Sequence, residues 1–185
     1  MAFLGARRLR CVFVVAAGLM GFPPWPAGAG EPVPLEDTVK AAYVYKFAPF
    51  VTWPTRPAAG VPFMICSIGA DRISALLPQV AAGQRVDERP IQIHALAEGE
   101  PAVDCAILYI ASSVAATSVL DAVHGKPILT VTSAEGPHGV IQLVTAEHHV
   151  GFDIDAKLAA EDGLTISSKL LGLARAVTRA TEPPS

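Results

Sequence analysis

From residue 35 onward the apolar positions of the chain fall into two alternating periods. Val39, Tyr43, Phe47 and Phe50 recur at i, i+4, i+8 and i+11, which predicts a helix from Leu35 with one apolar stripe. Glu36 and Asp37 fall in its first turn, where the helix dipole favours negative charge. Pro49 and Pro54 end it, so Phe50 to Trp53 is expected as a descending turn. Val61 to Ile68 then reads as a buried strand. Gly69 and Asp71 turn the chain into a helix carrying Ile73, Leu76, Leu77 and Val80, with Pro78 inside it and Gly83 as its stop. Arg89 to Ala95 alternates as a strand with one wet face. Cys105 to Ala111 is apolar throughout, as a strand covered on both sides should be. Ser112 or Ser113 caps a helix running to Val123, and Pro127 to Thr132 is a further strand.

The last third changes pattern. Val140 to Val144 and Val150 to Ile154, joined by Thr145-Ala146-Glu147, predict an antiparallel hairpin. A short helix opens at Asp155 or Lys157 and closes at Gly163. Ile166, Leu170, Leu173, Ala174 and Val177 share one face of an expected terminal helix, with Arg175 and Arg179 in its last turns. The fold class that follows is α/β. One domain over residues 35–180 holds a mostly parallel sheet with helices on both faces, then a C-terminal antiparallel hairpin and terminal helix. Residues 181–185 are expected to be a disordered tail.

The first thirty residues carry a different signal. Arg7, Arg8 and Arg10 precede an apolar run from Cys11 to Phe22, and Ala27-Gly28-Ala29 supplies the small residues of a cleavage site. This is the layout of a secretory signal peptide over residues 1–29, followed by a short lead-in over 30–34. The apolar run would reach only about 18 Å as a helix, short of the roughly 30 Å of a bilayer core. An exported, periplasmic chain beginning near Gly30 is expected.

Composition narrows the function. The chain is 51% hydrophobic with a mean hydropathy of +0.42, which excludes intrinsic disorder. Its formal charge is −3; removing the signal takes three of 14 basic residues and no acidic one, leaving 11 against 17, or −6. An acidic chain of this kind argues against a nucleic-acid partner.

Cys66 and Cys105 remain after export. Taken from the residues alone they are a disulfide, a reactive thiol or two buried unpaired cysteines. No G-x-G-x-x-G or P-loop follows the first strand, so no nucleotide cofactor is expected. His148 and His149 point to opposite faces of a strand, and His138 adds no third ligand of suitable spacing, so no metal is expected. Ser133, Glu135 and His138 lie close in sequence without a nucleophile elbow, which makes this loop one for recognition and not hydrolysis. Ser167-Ser168-Lys169 either binds an anion or supplies a helix N-cap. Tyr43, Tyr45, Phe47, Phe50 and Trp53 are more aromatic surface than one stripe buries, so Tyr45, Phe50 and Trp53, with His138, Ser167, Ser168 and Lys169, are the candidate partner- or ligand-binding residues.

Four segments then resemble a known family when taken in order. They are Ala41 to Ala48 running into Val51-Thr52-Trp53-Pro54; Phe63 to Gly69; Asp104 to Ile110; and Val150 to Asp155 continuing to Gly163 to Leu171. Together, behind a signal peptide, they resemble the YfiR family, and the run Ile166-Ser167-Ser168-Lys169-Leu170-Leu171 is the most specific part. The resemblance implies a periplasmic protein without catalytic activity that represses a membrane-bound diguanylate cyclase by contacting its periplasmic domain. It also implies release by an outer-membrane lipoprotein, control of cyclic-di-GMP and biofilm formation, a homodimer, and a Cys66–Cys105 disulfide. A second cysteine pair of the family's type member, around the hairpin, has no counterpart in this sequence. The alternative reading is a periplasmic small-molecule-binding sensor module.

Overall fold

The structure is a computed structural model that describes residues 34–55, 60–111, 114–133, 137–147 and 149–179. The expected signal peptide, most of the lead-in, the tail, Ser112, Ser113 and His148 lie outside these residues, and the helix expected to be capped by one of those serines begins later, with Ala115 at its N-cap.

Helix α1 spans Leu35–Lys46, with Glu36 and Asp37 in the first turn and a Lys40–Glu36 ion pair of 2.6 Å. Its buried residues are Lys40, Ala41 and Val44, continued by Phe47 and Ala48, whereas Val39 and Tyr43 are half-buried. The inward stripe is therefore rotated by about one residue from the expected one. The expected descending turn is also more ordered than the sequence suggested: a 3₁₀ turn, Ala48–Phe50, leads into strand β1, Val51–Thr52.

Strand β2 (Phe63–Ile68) is followed by helix α2 (Arg72–Val80). Asp71 begins that helix with a capping box: its carboxylate accepts from the Ser74 amide at 2.7 Å and the Ser74 hydroxyl accepts from the Asp71 amide at 2.9 Å. The helix continues through Pro78, which is exposed, and its buried residues are Ile73 and Leu77. A short strand β3 (Arg85–Val86) turns back antiparallel onto β4 (Arg89–Leu96). Then come β5 (Ile107–Ile110), helix α3 (Ala116–Val123), β6 (Leu129–Ser133), β7 (Ile141–Ala146) and β8 (His149–Asp155). Helix α4 (Ala156–Glu161) is capped by Asp155, whose carboxylate accepts from the Leu158 amide at 2.8 Å. Gly163 ends it at φ +74°, a left-handed conformation that suits glycine. Strand β9 (Thr165–Ile166), helix α5 (Ser168–Leu171) and strand β10 (Ala176–Thr178) complete the described chain.

The main sheet runs β10-β8-β7-β6-β5-β2-β4-β3. Its strands β4, β2, β5, β6 and β7 are parallel, β7 and β8 form the expected antiparallel hairpin, and β10 lies parallel to β8. One face, with Phe63, Ile65, Ile107, Tyr109, Leu129 and Val131, packs against α1 and α2; the other, with Cys66, Ile68, Leu108 and Ile110, packs against α3. This is the expected α/β class with helices on both faces. The terminal helix is the correction. It stops after the four residues of α5, Leu173 is 64% exposed, and the chain enters β10. Pairing with β8 satisfies backbone groups that would otherwise be an open edge. Arg175 does not sit at a helix end but holds this junction: its amide donates to the Phe152 carbonyl at 2.9 Å and its guanidinium meets Asp153 at 2.7 and 3.1 Å.

Cys66 and Cys105 form a disulfide with a Cα–Cα distance of 5.7 Å. Cys66 lies within β2 and not at its end. Ile65 is level with Ile107, so a straight extension of β5 would place Cys105 beside Phe63, roughly 10 Å from Cys66 along the strand. The chain instead turns at Cys105, one residue before the Ala106 amide joins the ladder by donating to the Met64 carbonyl at 2.9 Å.

Candidate functional site

Strands β1 and β9 are two residues each and pair antiparallel, Val51 with Ile166 and Thr52 with Thr165. This small ribbon stands at the end of the main sheet where the parallel strands begin, and it gathers most of the residues that the sequence singled out. The Ser167 amide donates to the Phe50 carbonyl at 2.8 Å. The Ser167 hydroxyl accepts from the Leu170 amide at 3.3 Å and caps α5, so this serine serves the N-cap alternative. Capping sets the direction of α5 and brings the Lys169 ammonium to 5.6 Å from the centre of the Phe50 ring. That distance is within the range of a cation–π contact. Ser168 and Lys169 are exposed, and Phe50 is half-buried.

Trp53 follows directly from β1. Its indole N–H donates to the Ala106 carbonyl at 3.2 Å, an oxygen that also accepts from the Leu129 amide at 2.9 Å. Its ring meets Phe63 edge-on, 5.4 Å between centres at 80°. Arg89 covers Phe63 with its guanidinium 5.2 Å from the ring centre and donates to the carbonyls of Val61 at 2.8 Å and Pro62 at 2.6 Å. The end of the sheet thus carries Phe50 and Trp53 between two cations, Lys169 and Arg89, in a chain whose formal charge is negative. The sequence reading placed Arg89 only at the start of a strand. A basic residue before a proline at a strand's first position was the one signal available for it.

Two candidates stand elsewhere. Tyr45 is half-buried on α1 against the main core. His138 is exposed beyond β6, beside a cleft of about 220 Å³ that it lines with Asp121, His124 and Asp162. Asp162 is 3% exposed and accepts from the Gly125 amide at 2.7 Å, with His124 Nδ1 at 3.7 Å. Burial pushes its carboxyl above the usual carboxylate range, partly offset by the Gly125 amide. Among the described residues no group of three or more His, Cys, Asp or Glu is placed to hold a metal ion. His149 Nδ1 lies 2.8 Å from the Glu147 carbonyl, and Glu135 of the Ser133 loop lies outside the described residues.

What the ribbon end can do is recognise a surface. Half-buried rings offer apolar area at low entropic cost, and the flanking cations favour an acidic counterpart. A family model described as YfiR/HmsC-like matches residues 37–175, which include β1, β9, α5 and both cysteines. No curated protein matches the chain.

Proposed function

The chain belongs to the YfiR/HmsC-like family, and on that footing we propose that it is a periplasmic regulator without catalytic activity of its own. It represses a membrane-bound diguanylate cyclase by contacting the cyclase's periplasmic domain, and so lowers cyclic-di-GMP and biofilm formation. The observation that carries this reading is the ribbon end, where Phe50, Trp53, Lys169 and Arg89 form one aromatic and cationic surface. Aromatic rings beside an arginine are the composition of an interface centre, and the two cations favour an acidic partner face.

Two further observations support it. The Cys66–Cys105 bridge suits an oxidising compartment. The polar side chains of Asp71, Asp155 and Ser167 are engaged as helix caps. An outer-membrane lipoprotein covering the same end would release the cyclase, and a dimer of the chain would present two such ends.

The test is capture from detergent-solubilised membranes with oxidised Gly30–Ser185 as bait. The reading expects a membrane protein with a cyclase output domain, and loss of that protein when Phe50→Ala and Lys169→Glu are combined. Capture unaffected by the double substitution, or no capture by the folded, oxidised bait, contradicts it.

A further inference from the structure

The face of the sheet that carries α3 has a groove that the ribbon end does not use. Strands β2 and β5 are neighbours, but the helices that follow them leave to opposite faces, α2 to one and α3 to the other. On the α3 face the groove opens between Ser118, Val119 and Ala122 of that helix and the β4–β5 connection, and it reaches Gly69 and Ala70 at the carboxyl end of β2. Here the opening measures about 770 Å³, within the range of roughly 300–1,000 Å³ for small-molecule sites. Ile68, Leu108 and Val123 are buried beneath it, and Val119 of α3 and Leu96 of β4 form apolar walls.

The wall made by the β4–β5 connection is acidic. Glu98 and Glu100 both line the groove. Glu100 is fixed in place: Oε2 accepts from the Ala97 amide at 2.8 Å and Oε1 lies 2.9 Å from His94 Nε2. The His94 hydrogen bond, then the Ala97 amide, holds its carboxyl below the usual carboxylate range. Lys126 is the one lysine lining the groove, and its ammonium donates to the Ala122 carbonyl at 2.8 Å, near the carboxyl end of α3. That bond turns its charge to the helix terminus. The Cys66–Cys105 bridge ties this wall to the floor, since Cys66 precedes Ile68 on β2 and Cys105 follows Ala102 of the connection. A bridged wall leaves less ordering for a ligand to impose.

We infer that this groove binds a small organic cation with an apolar body, its alkyl or aryl part over Leu108 and Val123 and its ammonium at Glu98 and Glu100. The site is independent of the ribbon end and stands whether or not the chain regulates a cyclase.

The experiment is a titration of the isotopically labelled, oxidised chain with hexylammonium, hexanol and hexanoate, followed by amide chemical shifts. Hexylammonium is expected to shift the amides around Leu96, Val119 and Ala122 saturably and to bind about fivefold more tightly than hexanol, with hexanoate weakest. Combining Glu98→Gln with Glu100→Gln removes the preference for the cation and leaves hexanol binding unchanged, and Ala122→Phe blocks all three. Hexanoate binding as tightly as hexylammonium, saturable shifts confined to another part of the chain, or no saturable shifts for any probe overturns the inference. The charge series on the unsubstituted chain decides the matter if Ala122→Phe fails to fold.

Discussion

The Ser167 amide donates to the Phe50 carbonyl at 2.8 Å, joining the turn after the first helix to the start of the last one. That bond extends the β1–β9 pairing by one residue and places Lys169 over the Phe50 ring. The surface assigned to partner contact is therefore built by a tertiary pairing. Phe50→Ala should weaken capture of the membrane partner at least tenfold, because an aromatic anchor at an interface centre is worth about 2 kcal/mol or more. It should change the chain's own stability less than a fully buried Phe→Ala does, since Phe50 is only half-buried. Parallel binding and denaturant curves separate the two effects.

Trp53 makes the adjoining contact. Trp53→Phe keeps a ring against Phe63 but loses the indole bond to Ala106, at an expected cost of about 1 kcal/mol. Trp53→Ala also loses the ring and should cost about 3 kcal/mol. Urea unfolding of the two variants measures the difference: equal costs would show that the ring contributes nothing beyond the indole N–H, and a Trp53→Phe variant as stable as the parent would show that the N–H contributes nothing.

The disulfide spans a sequence separation of 39. In the chain-entropy account, closing a loop of that length stabilises by about 4 kcal/mol. Replacing both cysteines by serine should forfeit most of that stabilisation relative to the oxidised chain, as read by thermal unfolding. A double variant as stable as the oxidised chain would contradict it.

Gly139 sits where β6 crosses over to β7. A Cβ there would lie 2.9 Å from both the Thr130 carbonyl oxygen and Oγ1, and that hydroxyl already accepts from the Val140 amide at 2.9 Å. Gly139→Ala should therefore destabilise by about 2 kcal/mol or more. Gly151→Ala would meet only the Val144 Cγ2 methyl at 3.8 Å and should cost less than about 1 kcal/mol. Equal effects in unfolding experiments would contradict the steric account.

Two aspartates give stability opposite pH dependences. Burial raises the Asp162 carboxyl, so the folded chain holds this proton more tightly than the unfolded chain. Its contribution is fully present below the unfolded value near 3.9 and is lost as pH rises through the raised folded one. His124, facing it at 3.7 Å, acts against the rise when protonated. Arg175 lowers the Asp153 carboxyl, whose contribution is present above the unfolded value and lost as pH falls through the folded one. Asp162→Asn keeps an acceptor for the Gly125 amide and should be at least as stable as the parent at pH 7. It should also lack the decline above pH 4. A variant less stable at pH 7, with the decline unchanged, would contradict the assignment.

Much of this fold was legible because local chemistry agreed with tertiary structure. Asp71 and Asp155 signalled helix starts, and alternation around Thr145 to Glu147 signalled the β7–β8 hairpin. The run from Ala174 to Val177 misled because Val177 continues the helical period of Ile166, Leu170 and Ala174; with Ala176 and Thr178 it becomes a strand only by docking on β8. The site was legible as residues and not as an assembly. Phe50, Trp53, Ser167 and Lys169 stood out as exposed aromatics and a capping run, but two-residue strands leave no periodic trace to show that they meet. Tyr45 and His138 stood out equally and lie elsewhere, because aromatic or histidine character alone does not say which end of a sheet a residue faces.

The proposal of repression by contact is tested most directly in the organism itself, by measuring cellular cyclic-di-GMP after deleting the coding sequence. Deletion should raise cyclic-di-GMP. The unsubstituted chain should restore the lower level, and the chain with Phe50→Ala and Lys169→Glu, exported and oxidised in equal amount, should not. Cyclic-di-GMP unchanged by deletion, or restored fully by the substituted chain, would contradict it.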